Sequence, residues 1–514
     1  MTLNSHYDVV VIGSGAGGGT VVDRLSERLG SDARILLLEG GPLWTHDRFT
    51  ERERDMGRLY FNRGAIFSRQ MNIGVAAANA VGGSTLVYTG VSFRPPASVL
   101  DRWRTTHGLS FLTDDFVEDT LDAIEADLNV HELGPDYDND NNRLFKAGCD
   151  ALGIPAKRLR INVRGCEELG FCNLGCRVEA KQGTLEVQLP RAQERGVQMV
   201  HNAWVEQIGR HHVSFTVSPP PRGTAPNVVP EGEHRVSADT IVVACGALHT
   251  PALLLRSAAP LGGLRIDALG RYVTLHPAYN LNAIYPEPIT NYRGFPKTWY
   301  VDAFSESEGY YLETSFYYPG VTAKNLPGFG AAHERFMRRY TQMMSILILA
   351  HDPAEPHNRI TIDRAGSMVL DYHVAPAVKT ALVKAIRRSL QIFFAAGCSE
   401  AMVPGSTQRV LTNADADHLD TLVTEEALRF PQSPLSSAHP QGGARMGTDP
   451  TRSVVSPEGH VHGVDSVFVA DASLFPTSSH VNPYETVMLL ACHVADRVAG
   501  RRFGGQRTPT GKRR

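Results

Sequence analysis

Near the N-terminus, Gly13-Ser14-Gly15-Ala16-Gly17-Gly18 and a carboxylate at Glu39 have the types and spacing that hold a dinucleotide. Gly13 permits a tight strand-to-helix turn, Gly15 lets backbone approach a pyrophosphate, and Gly18 lets helix and strand pack closely. The phosphates would meet a helix N-terminus, whose free N–H groups and dipole favour anions. Glu39, delivered by Ile35-Leu36-Leu37-Leu38, can accept hydrogen bonds from the ribose hydroxyls of either NAD or FAD. A second chemistry is offered by Cys166, Cys172 and Cys176, a C-x5-C-x3-C spacing in a glycine-bearing loop. Three thiolates could hold an iron-sulfur cluster or supply three zinc ligands; packing thiols or a disulfide are the alternatives. A third sits towards the C-terminus: His439, in Ser437-Ala438-His439-Pro440-Gln441-Gly442-Gly443, and Asn482, in Asn482-Pro483-Tyr484-Glu485. Imidazole, with an ordinary pKa of ~6.5, can take a hydroxyl proton near neutrality. Asn482-Pro483-x-Glu485 is also a good helix start, with Asn as cap, Pro at the first position and Glu at the third.

These groups need a framework. Tyr7 to Ile12 reads as a strand, Thr20 to Leu29 as a helix stopped at Gly30, and Ile35 to Leu38 as a second strand. Thr240 to Cys245 returns as a strand into Gly246-Ala247 and a helix from Thr250 to Ser257, which predicts an α/β, doubly wound, Rossmann-like domain. Arg48 to Tyr60 reads as a charged helical stretch, Asp114 to Leu128 as an amphipathic helix, and Gly134 to Asn142 as a loop. Between residues 276 and 425 the texture changes. Asn280 to Tyr285, Tyr310 to Tyr318, Met344 to Ala350 and Arg359 to Tyr372 read as extended segments, and Val378 to Ala396 as a helix covering one face. This predicts an inserted antiparallel-sheet (α+β) domain. Strand Ser466 to Ala470 and a final helix from Pro483 to Ala499, stopped by Gly500, complete the first domain.

The expected division is therefore 1–275 and 426–505 for the nucleotide domain, 276–425 for the substrate domain, and 506–514 as a basic mobile tail. At 514 residues two domains are the default, and 42% hydrophobic with 20% charged residues is ordinary for a globular protein. A net charge of -3 excludes an electrostatic nucleic-acid binder, and no apolar run is long enough to span a membrane. With a strand starting at Tyr7 and no leader pattern before it, a cytoplasmic protein is expected. Seven cysteines, an odd count, argue for reduced thiols or metal ligands over a disulfide framework.

Taken together, five segments resemble the glucose-methanol-choline (GMC) family of FAD-dependent oxidoreductases: Gly13 to Gly18 with Glu39; Gly82-Gly83-Ser84-Thr85; Gly246-Ala247 with Thr250-Pro251; His439 to Gly447; and Asp471-Ala472-Ser473 through Asn482 to Thr486. The resemblance covers nearly the whole chain and favours FAD over NAD. It implies that Gly13, Gly15, Ala16, Gly17 and Gly18 hold the pyrophosphate and Glu39 the ribose, while Gly82, Gly83, Ser84 and Thr85 pass the flavin ring. It further implies Val205 as the backbone contact to adenine, Asp471 and Ala472 where the family again touches the cofactor, and Ala244, Pro483 and Thr486 as additional cofactor-binding residues. His439 corresponds to the family's active-site histidine and Asn482 to its partner; His480 is the competing partner. The family often has Asn after the Gly-Gly-Ser segment, where this chain has Tyr88, and no histidine there matches the covalent attachment, so noncovalent FAD is implied. The implied activity is oxidation of the CH-OH group of a sugar, sterol, aryl or aliphatic alcohol, by proton abstraction and hydride transfer to flavin N5. Oxygen or another acceptor would take the electrons, and the oligomeric state stays open. The rival readings are a lyase or photodecarboxylase on the same scaffold, or a catalytically silent FAD electron-transfer subunit.

Overall fold

The structure is a computed structural model describing residues 1–404, 409–430 and 435–502. In chain order its framework is strand β1 (His6–Ile12), helix α1 (Ala16–Leu29), β2 (Ile35–Leu38), α2 (Asp140–Ala151), β3 (Gln198–Val200), β4 (Ala203–Ile208), β5 (His212–Val217), β6 (Gly232–Val243), α3 (Gly246–Arg256), β7 (Ala278–Ile284), β8 (Tyr310–Thr314), β9 (Met343–Ala350), α4 (Pro376–Ala395), β10 (Leu435–Ser437), β11 (Val464–Val469) and α5 (Tyr484–Arg502). The fold is a doubly wound α/β domain joined to a second, mostly antiparallel sheet.

In the first sheet β3, β2, β1, β6 and β11 lie side by side in parallel. Val9 to Ile12 and Ile35 to Leu38 are all buried, as a parallel strand covered on both faces requires. β6 is long enough to serve two partners besides β1: its first half pairs antiparallel with β5, and Ile241–Val243 pair with Val467–Val469 of β11. That last pairing brings the C-terminal part of the chain back beside the glycine turn. Helix α1 buries Val21, Val22 and Leu25 and packs along α5, where Arg24 grips Asp496 through two hydrogen bonds of 2.5 and 2.8 Å.

The second sheet is centred on β7, β9 and β8, with β9 antiparallel to both neighbours. Alternation along these strands separates two faces. Leu281, Leu312, Ile346 and Ile348 join the apolar cluster under α4, whereas Ala278, Tyr311, Leu347 and Leu349 form a smaller cluster on the opposite face. The boundaries expected at 275 and 425 cut through this sheet. Ile66–Phe67, Ile73–Val75, Lys157–Arg158 and β10 extend it from outside that segment.

Several local expectations need correction. Helix α1 starts at Ala16 rather than Thr20, because Gly17 and Gly18 are helical and packed, not part of the turn. Helix α5 runs through Gly500 to Arg502 instead of stopping there. Residues 134–142 are not all loop, since Asn139 caps α2 by accepting a hydrogen bond from Asn142 N at 3.0 Å. Only Glu53–Met56 of the charged stretch is α-helical. The extended segment from Tyr310 ends at Thr314 and gives way to a helix, Pro319–Asn325. The basic tail expected at 506–514 lies outside the described residues.

Candidate active site

One cavity of about 980 Å³ runs between the two sheets, from the glycine turn and Glu39 to His439 and Asn482. At its nucleotide end the turn is shaped by missing side chains. Gly13 has φ +102, and a Cβ there would lie 2.3 Å from Ala244 O. A Cβ on Gly17 would fall 1.7 Å from Ala470 O and one on Gly18 1.8 Å from Gly13 O, so these two let α1 seat on the strands. Gly15 differs: its nearest neighbour would be Gly83 Cα at 3.7 Å, and it lines the cavity. Backbone is therefore bare where a pyrophosphate needs close approach.

Ser14 ties the turn to both neighbours. Its hydroxyl accepts from Gly82 N at 2.9 Å and donates to Glu39 Oε2 at 2.7 Å, while Glu39 Oε1 accepts from Gly41 N. Burial raises the Glu39 carboxyl, with these donors opposing the shift. Asp471 is engaged by its own chain: Oδ2 accepts from Gly246 N and Thr250 Oγ1, and Oδ1 from Ser473 N. Its carboxylate thus caps α3 and fixes the returning segment. The loop from Gly82 to Tyr88 is clamped from behind by the buried Lys181 ammonium, which donates to the carbonyls of Leu86, Tyr88 and Cys172.

Gly13, Gly15, Ala16, Glu39, Gly83, Ser84, Thr85, Val205, Ala244, Asp471, Ala472 and Pro483 face this cavity, as do His439 and Asn482. Gly17, Gly18, Gly82 and Thr486 do not; the first two pack, Gly82 N is spent on Ser14, and the Thr486 hydroxyl is buried without a partner. His480 also stays off the cavity and stacks on His351 at 4.0 Å between ring centroids.

His439 follows β10, and its N–H donates to Ser437 Oγ at 3.1 Å. Its ring touches the cavity, but it sits deep enough that burial, and then the charge of Lys297, pushes its pKa down to about 3. The imidazole is neutral at physiological pH. Nδ1 lies 3.1 Å from Nδ1 of His276, which leaves Nε2 for the cavity. Asn482 does not spend its oxygen on capping α5; Oδ1 accepts from the Tyr311 hydroxyl, so the amide N–H2 is the end free to donate into the cavity. Tyr88, the residue that departs from the family pattern, packs edge-on to Tyr484 at 5.3 Å, and its oxygen accepts from Asn162.

Family models described as GMC oxidoreductase match residues 56–278 and 354–491. The chain belongs to the GMC oxidoreductase family. It is 32% identical to an uncharacterised GMC-type oxidoreductase of Mycobacterium tuberculosis over 97% of this chain and 77% of that one. It is 28% identical to a long-chain-alcohol oxidase of Arabidopsis thaliana, over 95% of this chain and 68% of that one. The crystal structure of pyridoxine 4-oxidase from Mesorbium loti has the same fold, with a TM-score of 0.69, 18% identity and coverage of 98% and 100%. As a GMC oxidoreductase the protein is an FAD-dependent enzyme, and the bare Gly15–Gly83 backbone with Glu39 at one end of a single long cavity fits that cofactor.

The cysteine loop does not fit a metal. Among the described residues, the group of His, Cys, Asp and Glu side chains whose ligand atoms all lie within 4.8 Å is His6, Asp8 and Asp239, not Cys166, Cys172 and Cys176. Cys166 and Cys172 pack instead against the cluster of Val91, Leu133, Ile161 and Phe295. Burial raises both thiols, Cys172 to about 12, in keeping with packing thiols. The cysteines are free, so the disulfide alternative falls as well. The iron-sulfur expectation gives way to packing.

Sequence reasoning had no hold on His276, Tyr311 or Lys297, whose neighbours at the site are distant in the chain. Ser14 was within reach, because a hydroxyl between the glycines of the turn is placed to bond the carboxylate at the end of β2. Among the described residues no helix is long and apolar enough to cross a membrane.

Proposed function

We propose that the protein oxidises the CH-OH group of a small alcohol, with His439 as the base and Asn482 as the donor to the reacting oxygen. FAD, when bound, supplies the hydride acceptor; Gly15, Gly83 and Glu39 are the residues that would hold it. The chain's part is acid-base chemistry and positioning. A neutral His439 can take the hydroxyl proton at Nε2 as the alcohol is oxidised. The Asn482 amide, its oxygen fixed by Tyr311, donates to the oxygen as negative charge grows there. The presence of both groups in the lining of the cavity that reaches Glu39 is the observation that carries the reading.

The nucleotide domain is read as residues 1–275 and 426–505 apart from the strands Ile66–Phe67, Ile73–Val75, Lys157–Arg158 and β10 that join the second sheet, with the substrate wall coming from β7, β8 and β9. Noncovalent cofactor binding is supported by the absence of histidine from the cavity-facing residues Gly83, Ser84, Thr85, Val87, Tyr88 and Thr89. Leu347, Leu349, Tyr317, Tyr318 and Val321 give the cavity apolar lining, which supports an aryl or aliphatic alcohol over a sugar. Oxygen is the proposed electron acceptor, in keeping with the oxidase among the relatives. Anaerobic mixing of holoenzyme with sugar, sterol, aryl and long-chain alcohols tests the proposal. Bleaching of the flavin absorbance by an aryl or aliphatic alcohol is expected, and it should be abolished in His439→Ala; bleaching that persists at the wild-type rate in that variant defeats the role given to His439.

A further inference from the structure

The candidate base has a partner for which the reaction, as proposed above, has no role. His276 is fully buried, and its Nδ1 lies 3.1 Å from His439 Nδ1 with the rings tilted by 37°. Its backbone is held at φ +51, a left-handed conformation costly for a residue with a side chain. The Asp352 carboxylate enforces it: Oδ2 accepts from Leu275 N at 2.7 Å and from the Tyr372 hydroxyl at 2.9 Å, and Oδ1 accepts from His276 N at 3.0 Å. His276 Nε2 is buried without a hydrogen-bond partner. A strained backbone and a dedicated carboxylate aim one imidazole at the other, and a neutral His276 that accepts at Nδ1 carries its own proton on the unpartnered Nε2.

Two neutral imidazoles facing through Nδ1 can share a single proton between those atoms. If His439 carries it, His439 Nε2 bears a lone pair towards the cavity and can act as a base. If His276 carries it, His439 has its proton on Nε2 and cannot. Nothing else bonds either ring, so this pair alone sets the tautomer of His439 among the described residues.

We propose that His276 is the positioning residue for the base: it accepts the Nδ1–H of His439 and so presents the Nε2 lone pair to the substrate hydroxyl. When the O–H bond breaks and the proton arrives at Nε2, the electron pair of that bond stays on the substrate oxygen. The Nδ1–H···Nδ1 contact then becomes a charge-assisted bond from an imidazolium to a neutral imidazole, stronger than before transfer. The surroundings suit an acceptor that stays neutral, since burial lowers the pKa of His276 and of the nearby stacked pair His351 and His480.

This inference rests on the reading of His439 as base, and its test separates the two. In the holoenzyme, His276→Leu should lower kcat by roughly 10- to 100-fold, within the range a general base contributes, with KM and flavin content unchanged. His276→Asn, whose amide oxygen can stand where Nδ1 stood, should recover most of that loss. Equal kcat in wild type and His276→Leu, or no recovery by Asn in a flavin-replete variant, overturns the proposal while leaving His439 as base. Should His439→Ala keep wild-type activity, the underlying reading fails instead. If the leucine variant does not fold, ¹⁵N-histidine NMR of the wild-type protein decides, with His439 assigned from a His439→Asn sample. Protonated Nδ1 and bare Nε2 on His439 are expected; the reverse tautomer overturns the proposal.

Discussion

Lys297 and Glu313 form an ion pair of 2.7 Å with side chains 8% and 0% exposed, and the ammonium faces the cavity. Burial opposes the charge on Lys297, and Glu313 with Tyr317 more than restores it, so the lysine is held in its charged form. Glu313 Oε1 has no partner, which makes Lys297 the main compensation for a carboxylate inside β8. Lys297→Met should therefore strand that carboxylate at a cost of about 3–5 kcal/mol. Removing both charges, as Lys297→Met with Glu313→Leu, should come within about 1 kcal/mol of wild type, because such pairs contribute little net stability over apolar replacements.

The size of the signal follows from chain length. At ~2.1 cal/mol/K per residue, unfolding of all 514 residues as one unit carries about 1.1 kcal/mol/K, so the single variant should melt about 3–5 °C below wild type. If the sheet domain unfolds by itself the entropy is smaller and the displacement proportionally larger. Differential scanning calorimetry of wild type, both single variants and the double variant at one protein and flavin concentration reads this directly. A double variant as unstable as Lys297→Met would mean that the loss came from packing around the lysine stem, and the charge argument would be refuted.

Two further outcomes are expected. Gly15→Ala should fold normally but lose FAD, since its Cβ meets only Gly83 Cα at 3.7 Å yet projects into the cavity, whereas Gly17→Ala should fail to fold because its Cβ falls 1.7 Å from Ala470 O; soluble yield and flavin-to-protein ratio distinguish them. The alcohol-oxidation rate should show no histidine limb near pH 6.5, since burial and then Lys297 hold His439 to about 3 and leave it unprotonated above that. It should instead fall as pH rises through about 7, where Glu485, raised there by burial and then by Glu125, ionises in the first turn of α5 beside Asn482. That negative charge opposes the one developing on the substrate oxygen; a profile of the same shape in Glu485→Gln would disprove the assignment.

The parts of this enzyme that were legible in the sequence are those specified by neighbours along the chain. Gly13 to Gly18, the buried run ending at Glu39, and Asn482-Pro483 before α5 each depend on a backbone conformation or a period that adjacent residues encode. The extended character of β7, β8 and β9 was visible for the same reason, although nothing local revealed that β10 and Ile73–Val75 join that sheet, because strand partners are chosen by tertiary packing. The cysteine loop was misread because C-x5-C-x3-C fixes spacing and not direction: Cys166 and Cys172 turn into an apolar cluster where a site would have needed three converging thiolates.

What was not legible decides the chemistry. His276 meets His439 across 163 residues and Tyr311 meets Asn482 across 171; the first pair sits beside the adjoining strands β7 and β10 of the second sheet, and the second links β8 to the start of α5 in the nucleotide domain. In each pair, on the proposed reading, the residue recognised from its motif would supply the reactive atom and the other would fix which of two states that atom presents: the tautomer of an imidazole, or the orientation of an amide. Chain-local patterns specify where a functional group stands, whereas its protonation and orientation are set by tertiary packing, of β7 beside β10 for His439 and of β8 against the start of α5 for Asn482. Substitutions in that sheet should accordingly alter rate at constant cofactor content, and those around α1 should alter cofactor content first.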